Sequence, residues 1–193
     1  IPLIYLIFIQ NPFKEKLLQA DTAFIKVDYS KVIDELEGIS PKSLPNTQKY
    51  ELAYSYIQGL EFSDDQRKVI LNNVTLKSDD LYLNYWIQVG RNDFEDALDT
   101  AKRINDSDLI IYALTQEMKK VREDDSLSGK DRETKLESLE GEYKKYWDSR
   151  SQLLTSDSSS NASTSSSPSS QDKPSESKPS SEKKTSPSSS SSN

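Results

Sequence analysis

The stretch YLNYWIQVGRNDFEDALDTAKRIND, Tyr82 to Asp106, decides the fold. It reads as two short amphipathic helices joined by a tight turn at Gly90-Arg91-Asn92, because its apolar residues recur at helical rather than alternating spacing. Asn92 and Glu95 stand at the spacing of a capping box, in which two side chains satisfy orphan amides at a helix start. A hairpin this short cannot bury its own apolar face, so it must stack on neighbours.

Working outward, the neighbours are visible. Phe94, just after the turn, has counterparts in Phe62 and Tyr29, so an aromatic returns roughly every 33 residues. That is close to the ~34-residue period of tetratricopeptide-type helix hairpins. Aligning DYSKVIDEL (Asp28 to Leu36) with DFEDALDTA (Asp93 to Ala101) sets Val32 over Ala97, Ile33 over Leu98 and Leu36 over Ala101. The first hairpin runs Phe13 to Val27 and, capped by Asp28, Tyr29 to Ile39, with Gly38 as a stop. A Pro-punctuated loop, Ser40 to Asn46, follows. The second unit is Lys49 to Leu60 and Ser63 to Val74, with Ser63 and Gln66 as a capping box. It fits the alignment only with four residues inserted after Phe62, so the repeat is degenerate. The third unit is Ser78 to Val89 and Asn92 to Ile104. A helix from Ser107 to Arg122 comes next.

From Asp131 to about Leu154 the pattern predicts one long helix. Leu136, Leu139, Tyr143, Tyr146 and Leu153 step by 3, 4, 3 and 7, a heptad seam interrupted by Arg150. Such a seam either caps the last repeat or pairs with a second copy of the chain. The predicted fold class is therefore all-α: degenerate tetratricopeptide-like stacked hairpins, then a long C-terminal helix, then a disordered Ser-rich tail.

Composition sets the domain limits. The chain has 193 residues, a net charge of -7 and 33% hydrophobic residues, with a mean hydropathy of -0.77. From Thr155 to Asn193 almost every residue is Ser, Pro, Lys, Glu, Asp, Asn or Thr, too little apolar surface to offset chain entropy. A flexible tether of this length spans about 35 Å as a coil; the sequon at Asn161 to Ser163 also permits a reading as a modified stalk. At the other end IPLIYLIFIQ, residues 1–10, is nearly uniformly apolar, about half the ~20 residues needed to cross a bilayer. We read it as the outer end of a transmembrane helix; the alternative is a buried first helix or strand. The folded domain is residues 11–154.

Several classes of chemistry are excluded. With no His and no Cys there is no imidazole base, thiolate nucleophile or His/Cys zinc site. Lysines interleaved with Asp and Glu argue against a nucleic-acid face. Asn105, Asp106 and Asp108 lack the series a calcium loop needs and read as helix caps. No phosphate loop or nucleophile elbow is present, so no catalytic, cofactor or metal residues are assigned. What remains is binding. Tyr54, Tyr85, Trp86 and Arg91 are candidates for a partner surface, because aromatics and Arg concentrate interface energy; the competing assignment is the repeat's own core.

Taken in order, NPFKEKLLQADTAFIKVDYSKVIDEL, LPNTQKYELAYSYI, ILNNVTLKSDD, YLNYWIQVGRNDFEDALDTAKRINDSDLIIYAL and LSGKDRETKLESL, following the apolar segment, resemble the C-terminal part of the EssB/YukC family of type VII secretion system membrane proteins. The resemblance covers Ile1 to about Tyr146. It implies a single-pass plasma-membrane protein with this all-helical region on the extracellular side. It further implies a non-enzymatic scaffold that works with other membrane components of the machine, including its ATPase. Homodimers are associated with the family, which favours the Leu136–Leu153 seam as a pairing surface. A rival reading from another class is a membrane-tethered tetratricopeptide-like co-chaperone that binds client peptides.

Overall fold

The computed structural model describes residues 12–160 of the chain. They form eight α-helices and no strand. In chain order these are α1 Pro12–Ile25, α2 Tyr29–Leu36, α3 Asn46–Gly59, α4 Asp64–Asn73, α5 Asp80–Gly90, α6 Phe94–Ile104, α7 Ser107–Glu123 and α8 Gly129–Ser160, with a 3-10 turn at Pro41–Ser43. Each packs on the next along one line, α1 on α2, α2 on α3, α3 on α5, α5 on α6, α6 on α7 and α7 on α8. One continuous core runs the length of the stack, from Ala20 through Leu36, Leu52, Ile57, Leu83 and Ile87 to Leu114. The apolar segment 1–10 and the tail beyond Ser160 lie outside the described residues.

The repeat is clearest in its turns. After α1, Val27 takes a left-handed backbone (φ 62°), the Asp28 amide donates to Ala23 O at 2.9 Å and the Val27 amide to Phe24 O at 2.9 Å. After α5, Asn92 takes the same conformation (φ 59°), with Asp93 donating to Gln88 O at 2.9 Å and Asn92 to Val89 O at 3.0 Å. These are two copies of one Schellman closure, which satisfies the orphan carbonyls at a helix end and turns the chain back. Val27 and Asn92 are equivalent in the alignment of Asp28 with Asp93, so the backbone repeats where the side chains do not.

Several expectations need correction. The capping box expected from Asn92 and Glu95 does not form: Asn92 is spent closing α5, and the residue at the start of α6 is Asp93, without a side-chain cap. The box at Ser63 and Gln66 does form, both hydrogen bonds being made. Helix α3 starts at Asn46, three residues earlier than Lys49, on Pro45, whose fixed φ suits a helix entry. The largest difference is α4. It contributes no residue to the buried core, and α3 stacks directly on α5. Between Gly59 and Asp64 the chain has extended backbone at Leu60 and Ser63 in place of the tight closure, so α4 swings out of the stack. The last helix starts at Gly129 and continues to Ser160, past the expected end at Leu154.

Candidate functional site

The four residues expected at a partner surface separate into two groups. Tyr85 is fully buried and Trp86 is 2% exposed. The Tyr85 hydroxyl donates to Leu109 O at 2.9 Å, tying α5 to α7, and burial pushes its phenol far above the usual value. Trp86 is wedged among Phe62, Tyr82, Tyr85 and Tyr112, with ring centroids 5.0–6.3 Å apart. These two rings are the hairpin's core, as the i, i+3, i+4 stripe of a stacked helix requires. Arg91 faces another hairpin: its Nη2 donates to Leu36 O at 3.2 Å and Ile39 O at 2.9 Å, closing the end of α2.

Tyr54 is half-buried and belongs to a ring cluster between α1, α2 and α3. Phe24, Tyr29 and Tyr50 surround it at centroid distances of 5.4–5.8 Å. Of the expected surface, Tyr54 alone remains accessible in a setting where several aromatic rings share one face. Beside it the end of α1 presents Ile25 and Val27 to solvent, 81% and 64% exposed.

The expected seam on α8 is turned inward. Leu139, Tyr143 and Tyr146 pack against the core and α8 lies along α7; Leu136 is half-buried, and the Leu153 side chain is outside the described ones. Arg150, which breaks the heptad, pairs with Asp108 at the start of α7. Lys135 with Glu117 at 2.7 Å and Lys102 with Glu142 at 2.7 Å fix the rest of the register. The hydrogen bond to buried Glu117 raises the Lys135 ammonium's pKa. The outward side of α8 carries Trp147, 45% exposed and stacked on Tyr143.

Sequence reasoning missed a groove of about 370 Å³ between the Ser40–Lys42 loop and the α5–α6 hairpin. Asn84 and Gln88 on α5 and Arg91 at its C-terminal cap, spaced i, i+4, i+7, line it. Asn84 Oδ1, Gln88 Oε1 and Arg91 Nε are shielded there without a hydrogen-bond partner among the described residues. Asp93, Asp96 and Asp99 line it together with the cations Lys42, Arg91 and Arg103, and no ion pair among the described residues engages these carboxylates. The spacing of the Asp row was present in the sequence, but nothing local marks which residues the Ser40–Lys42 loop will face. Among the described residues no group of acidic side chains is arranged to hold a metal ion, and no helix is long and apolar enough to cross a membrane.

Comparison with known proteins places these features. Residues 1–149 match the family described as "WXG100 protein secretion system (Wss), protein YukC". The chain is 30% identical over 142 residues to the ESX secretion system protein YukC of Bacillus subtilis, covering 73% of this chain and 31% of that protein. It is 31% identical over 156 residues to the type VII secretion system protein EssB of Staphylococcus aureus, covering 79% and 33% respectively. The chain thus spans about a third of the length of these curated relatives. A crystal structure of the Geobacillus thermodenitrificans EssB extracellular fragment superposes with a TM-score of 0.71 at 37% identity, covering 76% of this chain and 97% of that fragment.

Proposed function

The chain belongs to the YukC family of WXG100 protein secretion systems, and on that premise we propose that it is the outer, helical part of a membrane-anchored, non-enzymatic scaffold subunit. The observation that carries this reading is the match to 97% of a fragment described as extracellular, together with the apolar residues 1–10 that lead into α1. In this reading the apolar segment fixes the domain at the outer face of the plasma membrane, and the stacked hairpins form a stiff arm. Its half-exposed aromatic face at Tyr29, Tyr50 and Tyr54 meets other membrane components of the machine, whose ATPase drives export.

A homodimer is part of the proposal. With Leu139, Tyr143 and Tyr146 engaged inside the chain, the pairing surface on α8 is its outward side around Trp147. Trp147→Glu is then expected to halve the mass of the full-length protein measured by light scattering, and an unchanged mass removes this surface from the pairing.

The scaffold role is tested by affinity purification of the tagged full-length protein from detergent-solubilised membranes, followed by mass spectrometry. Co-purification of the secretion ATPase and its companion membrane proteins supports a scaffold, and Tyr54→Ala should reduce it. Recovery of diverse exported clients without those subunits favours a tetratricopeptide-like co-chaperone instead.

A further inference from the structure

Seven large apolar side chains are exposed among the described residues, and four of them, Phe13, Leu18, Ile25 and Val27, belong to α1 and its closing turn. Leu18 and Ile25, 66% and 81% exposed, stand seven apart and share one side of the helix, with exposed Thr22 between them. The opposite side carries buried Ala20 and Ala23, and α1 packs there on α2 and α3. Next to Leu18 the surface opens into a shallow groove of about 310 Å³, lined in part by Thr22, Ala23, Lys26 and Lys31. The Leu18–Ile25 side thus has no partner within the domain.

Charge and position identify what covers it. Residues 12–31 carry Lys14, Lys16, Lys26 and Lys31 against Glu15, Asp21 and Asp28, in a chain of net charge -7. The three acids accept hydrogen bonds within the protein, Glu15 from Gln19 Nε2 at 3.2 Å, Asp21 from Gln48 Nε2 and Asp28 from the Lys31 amide at 3.2 Å. None of the four lysines is in an ion pair among the described residues. An apolar side flanked by lysines is the pattern of a helix lying in the plane of an anionic bilayer surface. Only Asn11 separates the apolar residues 1–10 from α1, and α1 is about 20 Å long, so every residue of it lies within that distance of the segment's end. Pro12 at the start of α1 disfavours one straight helix running on from the segment, which leaves α1 free to lie along the surface.

We propose that the Leu18–Ile25 side of α1 docks on the anionic phospholipid surface from which the apolar segment emerges, with Leu18 and Ile25 at the acyl boundary and Lys14, Lys26 and Lys31 among the phosphates. The inference rests on the membrane-anchored reading of residues 1–10 and adds a second point of attachment to it. A single spanning segment lets the domain swivel, whereas a segment together with a lipid-bound helix holds the stack at one angle. Phe24 of α1 contacts Tyr29, Tyr50 and Tyr54, so the aromatic face is then presented at a fixed height above the bilayer.

The absence of native cysteine lets a single nitroxide report depth. Leu6→Cys, Thr22→Cys and Lys68→Cys variants of the full chain are spin-labelled and reconstituted in vesicles of phosphatidylglycerol and phosphatidylcholine. Electron paramagnetic resonance then gives each label's accessibility to oxygen relative to a water-soluble nickel complex. The label at Leu6 reports the anchor, that at Thr22 the helix side and that at Lys68, exposed on α4, the aqueous reference. The ratio at Thr22 is expected to exceed that at Lys68 by about threefold or more. It should fall to the reference on adding Leu18→Glu and Ile25→Glu, or in vesicles of phosphatidylcholine alone. A membrane-buried label at Leu6 with one at Thr22 as wet as Lys68 overturns the docking and leaves the anchor standing. A wet label at Leu6 overturns the anchor; a buried label at Thr22 then supports docking by α1 alone, and a wet one overturns both. A Thr22 depth unchanged in neutral lipid overturns the recognition of phosphates by lysine. Circular dichroism melting checks that the variants, all at exposed positions of the described domain or in the apolar segment, keep the fold.

Discussion

Gly90 shows how a residue's role can be misread from its neighbours. In the sequence it begins a Gly-Arg-Asn turn, yet it is the last residue of helical α5, and no glycine among the described residues has a positive φ. Its smallness matters because α3 crosses there: a Cβ added at Gly90 would lie 2.1 Å from Tyr56 Cγ and 2.5 Å from its Cβ, and Tyr56 is itself buried at 7% exposed. Gly90→Ala is therefore expected to cost about 3 kcal/mol through overpacking, read as a lower urea midpoint. A loss under about 0.5 kcal/mol would mean that Tyr56 moves aside freely. Val27 is the opposite case, a β-branched side chain in a left-handed conformation that costs such residues about 1–2 kcal/mol. Its repeat equivalent is Asn92, which tolerates that conformation. Val27→Asn should stabilise the chain by about 1 kcal/mol, and a destabilised variant would show that the exposed Val27 side chain makes a favourable contact.

At the scale of elements, the α1–α3 contact carries a buried acid. Glu51 is 6% exposed, and its carboxyl is pushed up from 4.5 to about 7 by burial first and by the nearby Asp21 carboxylate second. Gln48 donates to the same Asp21. An acid whose folded pKa lies above its unfolded value holds its proton more tightly when folded, so folding is favoured at low pH. Its contribution declines as pH rises from about 4.5 to about 7 and is lost above that. The span is on the order of 3 kcal/mol. Glu51→Gln, which mimics the protonated form, should leave stability at pH 4 nearly unchanged and raise it at pH 8, flattening the profile of urea midpoint against pH. An unaltered slope between pH 4.5 and 7 would assign that dependence to other groups.

The α8 seam belongs to the same scale. Because Leu139 docks onto the repeat stack, Leu139→Asp places a charge in a half-buried apolar contact. It is expected to release α8 first, seen as faster proteolysis after Glu123 with the α1–α6 core still protected. Simultaneous cleavage throughout would show that α8 is needed by the whole stack. The pattern of 3 and 4 steps was legible, but a heptad seam is equally satisfied by a partner copy or by the chain's own helices. Arg150 was the discriminating residue. It reads as a defect in a dimer seam and becomes a pairing residue once Asp108 stands opposite it.

Across the whole molecule the stack has one excursion. Helix α4 adds no buried residue of its own, while α3 and α5 meet without it. Replacing residues 64–73 by a Gly-Ser linker is thus expected to lower the melting temperature by only a few degrees. A much larger loss would mean that the half-buried Ile70 and Leu71, which pack against the core, are required to cover it. The stack is otherwise held by long-range clamps that link different hairpins, such as Arg91 to Leu36 O and Ile39 O and Tyr85 to Leu109 O. Arg91→Ala would remove the donor to Ile39 O, while Leu36 O would keep the Ile39 amide at 3.0 Å.

What the sequence determined by itself was whatever depends on contacts three or four residues apart: the all-helical class, the hairpin period, the Asp28 and Ser63 caps, and the family. These are local because helix caps and amphipathic stripes are satisfied within one or two turns. Only the tertiary structure decided which apolar stripe faces which: that Tyr85 and Trp86 are core, that Gly90 admits Tyr56, that α4 leaves the stack, and that the α8 seam turns inward. It also decided that the Asp row of α6 faces a loop more than fifty residues earlier in the chain. Those outcomes depend on helix packing between distant segments, where a given pattern of apolar residues admits several partners and the one chosen is the arrangement that leaves fewest polar groups unpaired and fewest cavities unfilled.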